Sequence, residues 1–161
     1  MTDQPPPPAP DGFRPADDAA RALARSLLDL PHAALAVLDA TGAPAISRIA
    51  LGRGPDGGLV TLVSDLAAHA GALARDPRCA LLLAEPGPKG DPLTHPRLSL
   101  TCTARPARHD DLRAHWLADH PKAKLYIDFA DFRFLAFSVT AASLNGGFGR
   151  AHRLSATDLG L

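Results

Sequence analysis

Cysteine is nearly absent from this chain. There are two in 161 residues, Cys79 and Cys102, with no C-x-x-C and no zinc spacing. A disulfide framework and a zinc-built fold are both excluded. The expectation is two reduced core thiols in a cytoplasmic protein. An excess of either charge is also missing, with 17 Lys and Arg against 17 Asp and Glu. That balance argues against a nucleic-acid partner. No run approaches the ~20 apolar residues of a membrane span. The opening MTDQPPPPAP has neither the basic nor the apolar region of a signal peptide. No P-loop, no G-x-G-x-x-G before a helix and no Ser/His/Asp arrangement is present. The seven histidines show no H-x-x-x-H or H-E-x-x-H spacing, so no metal site is expected. What is there is apolar bulk: 46% hydrophobic residues, enough for a core in a chain about one domain long.

Residues 1–14 hold five of the sixteen prolines and read as a disordered tail. The single domain is expected over 15–161. Leu23, Leu27 and Leu30 repeat at helical spacing after Pro15 and before Pro31. Three apolar strands follow, at 32–38, 43–51 and 58–63, joined by Gly/Asp turns, and they read as an antiparallel meander. The loop PGPKGDPLTHP at 86–96 excludes a strand. Residues 97–105 then alternate strictly, with Leu98, Leu100, Cys102 and Ala104 on one face. Helices are expected at 110–120 and 123–129, and a last long strand at 133–143. It ends in Asn145-Gly-Gly-Phe-Gly149. Ser155 and Asp158 read as a helix start. With the apolar strand at 78–85, the count is six strands. The expected class is mainly β (α+β): a six-stranded antiparallel barrel with flanking helices.

The segment 60–83, VTLVSDLAAHAGALARDPRCALLL, organises this reading. An apolar strand delivers Ser64, Asp65 and then His69 to the start of a short helix. Helix N-termini present unpaired N–H groups and partial positive charge, so the segment is a candidate anion site.

Four stretches, in order, resemble the FMN-binding split barrels, the superfamily of pyridoxamine 5′-phosphate oxidase, and within it the haem-utilisation (HugZ-like) branch. They are GAPAISRIAL at 42–51, SDLAAHAGALARDPRCALLL at 64–83, GDPLTHPRLSL at 90–100, and HPKAKLYIDFADFRFLAF at 120–137 with GGFGRAHRL at 146–154. The resemblance implies a split barrel and a homodimer with FMN between the two barrels. Carried over, Arg48, Ser64, Asp65 and His69 are the candidate phosphate residues. Phe148, Gly149 and Arg150 are candidates for the flavin ring or an acidic substrate. Members of the family it resembles often carry further polar or basic residues after the histidine, where this chain has Ala70, Gly71 and Ala72.

Three functions stand open at this point. One is an FMN-dependent oxidoreductase acting on a small molecule, with the flavin supplying the redox chemistry. The second, implied by the nearer branch, is a haem-binding or haem-degrading protein, with His152 or His120 as the iron ligand. The third is a non-enzymatic flavin or ligand carrier.

Overall fold

The computed structural model describes residues 12–147 and 149–161. The proline run of the expected tail and Phe148 lie outside the described residues. The elements run α1 (Asp18–Leu27), β1 (His32–Leu38), β2 (Pro44–Ala50), β3 (Gly52–Arg53), β4 (Leu59–Ser64), α2 (Ala68–Arg75), β5 (Arg78–Ala84), β6 (Arg97–Ala107), α3 (His109–Asp119), β7 (Phe132–Asn145), β8 (Ala151–Leu154) and α4 (Ala156–Leu159). The strands form one sheet in the order β2-β1-β5-β6-β7-β4-β3, with β8 on the free length of β7. Every strand pair is antiparallel.

The expected class holds, and the strand count does not: among the described residues there are eight strands rather than six. The two extra ones, β3 and β8, have two and four residues. Strands that short carry almost no pattern and exist only because a neighbour supplies the ladder. The meander also fails. β4 does not pair with β2; it pairs with β3 and β7. The chain turns away from β1 at Gly52, where an added Cβ would stand 3.0 Å from the Trp116 ring. The seam between β2 and β4 is closed instead by a side chain. Thr61 is fully buried, and its hydroxyl donates to the Ala50 carbonyl at 2.7 Å. A buried hydroxyl needs that partner.

The larger core packs Leu35, Leu81, Leu83, Leu98 and Leu100 of the sheet with residues of α1 and α2. The alternation expected on β6 is observed, with Leu98, Leu100, Cys102 and Ala104 buried. A second, smaller core lies under α3, where Leu112 and Trp116 pack with Val60, Leu62, Ile127 and Phe134. The helix expected at 123–129 is a 3₁₀ segment, Pro121–Leu125. Leu125 and Phe129 are exposed there, so no continuous apolar stripe holds a longer helix down.

Cys79 and Cys102 are register partners across β5 and β6, and both are buried and free. Burial pushes the Cys79 thiol up to about 11; burial, then the neighbouring Cys79, pushes Cys102 up to about 12. Thiolate is the reactive form. An aromatic disulfide reagent at pH 8 should therefore leave both thiols unmodified in the native protein and titrate both after denaturation. Rapid native labelling would contradict the burial.

The carboxyl end carries the capping box expected from Ser155 and Asp158. Asp158 also accepts from Arg21 Nε at 2.7 Å, which joins α4 to α1. Backbone and side-chain hydrogen bonds from Ser155, with Arg21, hold the Asp158 carboxyl down at about 2. A depressed carboxyl stabilises the fold above its unfolded value near 3.9, and that stability is lost as pH falls toward 2. An Asp158→Asn variant should melt lower than the parent at pH 7, and the gap should close on titration from about pH 4 to 2.

Candidate functional site

The predicted residues fall into two separate regions. The first is the opening of α2. Ser64 ends β4, and its hydroxyl donates to Asp131 Oδ2 at 2.5 Å and accepts from the Leu66 N–H at 3.1 Å. Ser64 is not the helix N-cap. That position is Ala67, which supplies no side-chain cap. The Asp65 carboxylate pairs with Arg133 at 2.9 Å, and its N–H donates to the Asp131 carbonyl at 2.7 Å. His69 is half-buried, and burial lowers its pKa, which keeps the imidazole neutral at pH 7. Arg48 stands exposed on the outer face of β2, opposite Ala34. Among the described residues, no hydrogen bond or ion pair ties it to Ser64 or His69.

The electrostatics of this region are mixed. The Arg133 guanidinium is already paired with Asp65, and the Ser64 proton is committed to a second carboxylate, Asp131. A phosphate would meet little uncompensated positive charge here.

The second region lies at the far end of β7. Gly146, Arg150 and His152 come together there with Leu144, facing a wall made by residues 14–17 and the first turns of α1. Between them is a cleft of about 460 Å³. Leu23, Ala16, Ala19 and Ala20 make that wall apolar. Arg14 and Arg150 also line the cleft, and the Arg150 side chain is exposed. Gly147 has φ +116, and an added Cβ would stand 3.2 Å from the Thr94 carbonyl, so the turn needs glycine at this position. Gly149 has φ +68 and lies in the same turn.

His152 is the polar centre of this cleft. It is buried, at 7% exposure, and its Nδ1 stands 3.0 Å from the Pro15 carbonyl. A carbonyl only accepts, so Nδ1 carries a proton. In the neutral ring the lone pair is then on Nε2, which has no hydrogen-bond partner among the described residues.

His120 is placed differently. Its Nε2 meets the Leu51 carbonyl at 3.0 Å, and its ring stacks on Trp116 with centroids 4.1 Å apart. That histidine fastens α3 to the β2–β3 corner. The two histidines thus differ in which nitrogen a carbonyl holds, Nδ1 in His152 and Nε2 in His120.

Sequence reasoning missed Arg14, because residues 1–14 read as tail, and it did not bring the helix after Pro15 against His152. Arg14 instead donates its N–H to the Ala151 carbonyl at 2.8 Å. Within β8, His152 and Leu154 are buried and Arg153 is exposed, a phase too short to read from the sequence.

No family model matches the chain. A chloroplast protein of Arabidopsis thaliana, the non-canonical heme oxygenase HOZ, is 35% identical over 99 residues, which is 58% of this chain and 29% of that one. A solved heme binding protein from Mycobacterium smegmatis superposes with TM-score 0.79 at 31% identity, over 91% of this chain and 61% of its own. The chain therefore spans less than two thirds of either relative. Another solved structure, 48% identical, superposes with TM-score 0.81 over 91% of this chain and 99% of its own. The fold extends to a pyridoxinephosphate oxidase family protein of Clostridium acetobutylicum, TM-score 0.66 at 12% identity, a likeness of fold alone.

Proposed function

From the membership of this chain in the split-barrel superfamily of pyridoxamine 5′-phosphate oxidase, on its haem-utilisation side, we propose that it binds haem in the cleft between α1 and β8, with His152 as the iron ligand. The observation that carries the reading is the His152 imidazole. It is buried, its Nδ1–H is held by a backbone carbonyl, and its Nε2 lone pair is unspent. Metal-binding histidines have this arrangement, with the second ring nitrogen donating to a fixed acceptor.

The other residues of the cleft suit the same group. Leu23, Leu144 and Ala20 offer apolar surface to a flat macrocycle. Arg14 and Arg150 offer guanidinium groups to its two carboxylates, and such pairs are strong when bidentate. When bound, haem supplies iron-centred redox or dioxygen chemistry, which the axial ligand and local polarity tune. The chain's own part is to present Nε2, pair the carboxylates and keep water from the buried edge.

A homodimer is part of the proposal. Ile46 is 77% exposed and Leu82 41% exposed, and the register sets them beside Ala36 and Ala34 on the outer face of β2, β1 and β5. A second copy would cover that stripe. Arg48 lies on the same stripe, which supports a second reading: an FMN phosphate held by Arg48 together with groups from a second copy. Sedimentation of a monomer at micromolar concentration would count against both.

The visible spectrum decides between the two ligands. The expected protein is free of flavin and gives a sharp Soret band on hemin addition, saturating at one hemin per chain. A yellow protein that releases flavin on heating and gives no Soret band would overturn the haem reading. Loss of the band on adding ascorbate in air would extend the reading from carriage to haem breakdown.

A further inference from the structure

The wall that faces His152 is built by the short segment ahead of α1, and the way it is fastened is specific. Arg14 lies in a parallel β-bridge with His152, its N–H donating to the Ala151 carbonyl at 2.8 Å. One residue later, the Pro15 carbonyl takes the His152 Nδ1 proton at 3.0 Å. Two residues after that, the Asp17 carboxylate caps α1 by accepting from the Ala20 N–H at 2.7 Å. On the other side, Phe13 lies under the Arg153 guanidinium, 4.8 Å from the ring centroid. Successive anchors thus tie a five-residue stretch to β8 at one end and to α1 at the other. Four of its residues, Arg14 to Asp17, line the cleft.

We infer that residues 13–17 form a positioning strap for His152: docking of the strap on β8 selects the imidazole tautomer that turns its Nε2 lone pair to a ligand. The inference rests on the proposed haem site but concerns the protein without haem. A free imidazole favours the proton on Nε2, which would leave no lone pair there for a metal. The Pro15 carbonyl reverses that preference by accepting from Nδ1. The selection depends on the strap because Pro15 reaches His152 only when the Arg14 bridge aligns it. Among the described residues, no other acceptor lies on Nδ1. Phe13 and Arg153 add a cation–π contact that holds the strap down from outside the cleft. Pro15, Arg14 and Phe13 are therefore positioning residues.

Two substitutions at one position separate the strap from its charge. Arg14→Pro removes the backbone N–H that makes the bridge, whereas Arg14→Ala keeps the N–H and removes the guanidinium. Long-range ¹⁵N–¹H correlation on the haem-free full-length chain reads the tautomer directly. The unmodified chain and Arg14→Ala should both show His152 with its proton on Nδ1. Arg14→Pro should move the equilibrium toward the Nε2 proton and weaken hemin binding roughly tenfold or more, in the range usual for partners behind a metal ligand. Phe13→Ala should shift both readouts the same way by a smaller amount, and it carries the test if Arg14→Pro does not fold.

An Nε2 proton in the unmodified chain would overturn the inference. So would an unchanged Nδ1 proton in both Arg14→Pro and Phe13→Ala. Failure of the haem reading looks different: the tautomer would follow the strap as expected while hemin gave no Soret band in any variant.

Discussion

A His152→Ala variant loses the hemin Soret band, or binds hemin at least about tenfold more weakly, a change of about 1.4 kcal/mol or more in binding free energy. Its melting temperature barely moves. The side chain makes one hydrogen bond, to the Pro15 carbonyl, whose loss costs about 1 kcal/mol, or roughly 2–4 °C in a domain of this length. His120→Ala gives the opposite pattern. That ring donates to the Leu51 carbonyl and stacks on Trp116, so its removal costs about 1–3 kcal/mol of stability. Hemin binding should survive it, because His120 stands outside the cleft that His152 lines. Hemin titrations and thermal melts on the two variants check both halves. Retention of tight hemin binding in His152→Ala would remove that residue as the ligand.

The largest stability loss is expected at Phe134. It is 1% exposed, the bulkiest fully buried side chain, and packs edge-on to Trp116 with centroids 5.5 Å apart. Phe134→Ala opens a cavity beneath α3 that the surrounding strands cannot close. Comparable truncations cost about 3–5 kcal/mol. Melting should fall by roughly 10 °C. The folded fraction should still bind hemin as the parent does. Phe134 is ten residues along β7 from Leu144, which pairs with His152, a distance of about 30 Å at the usual strand rise. A melting temperature within 2–3 °C of the parent would mean that the smaller core contributes little.

Much of the fold was legible without coordinates. The alternation along 97–105 named the buried face of β6 because side chains in a strand alternate with period two. Ser155 and Asp158 named a capped helix because the capping box is local chemistry. The pairing of strands was less legible. Turn spacing suggested that β1, β2 and β4 would follow one another, but β5 lies against β1 and β4 against β7. Strand order depends on which apolar faces meet across the barrel, and no single segment carries that information.

The site divides in the same way. The stretch 64–69 held the residue types for an anion, yet in the folded chain Ser64 is bonded to Asp131, 67 residues away. That partner adds negative charge where a phosphate would need positive. His152 was legible as a residue worth testing beside the glycine turn. Its tautomer, its burial and the cleft in front of it were not.

By itself, then, the sequence determined the mainly β class, the helix caps, the buried face of β6 and the glycine-rich turn ahead of His152, because each of these follows from periodicity or from contacts a few residues long. The tertiary structure alone decided the strand order, the seam closed by Thr61, and which nitrogen of His120 and of His152 a carbonyl holds. Those depend on groups far apart in the chain: Leu51 against His120, and Pro15 against His152, separated by 69 and 137 positions. Only folding brings a carbonyl to one nitrogen of each ring, and which nitrogen it meets decides which one keeps the lone pair: Nε2 in His152, Nδ1 in His120.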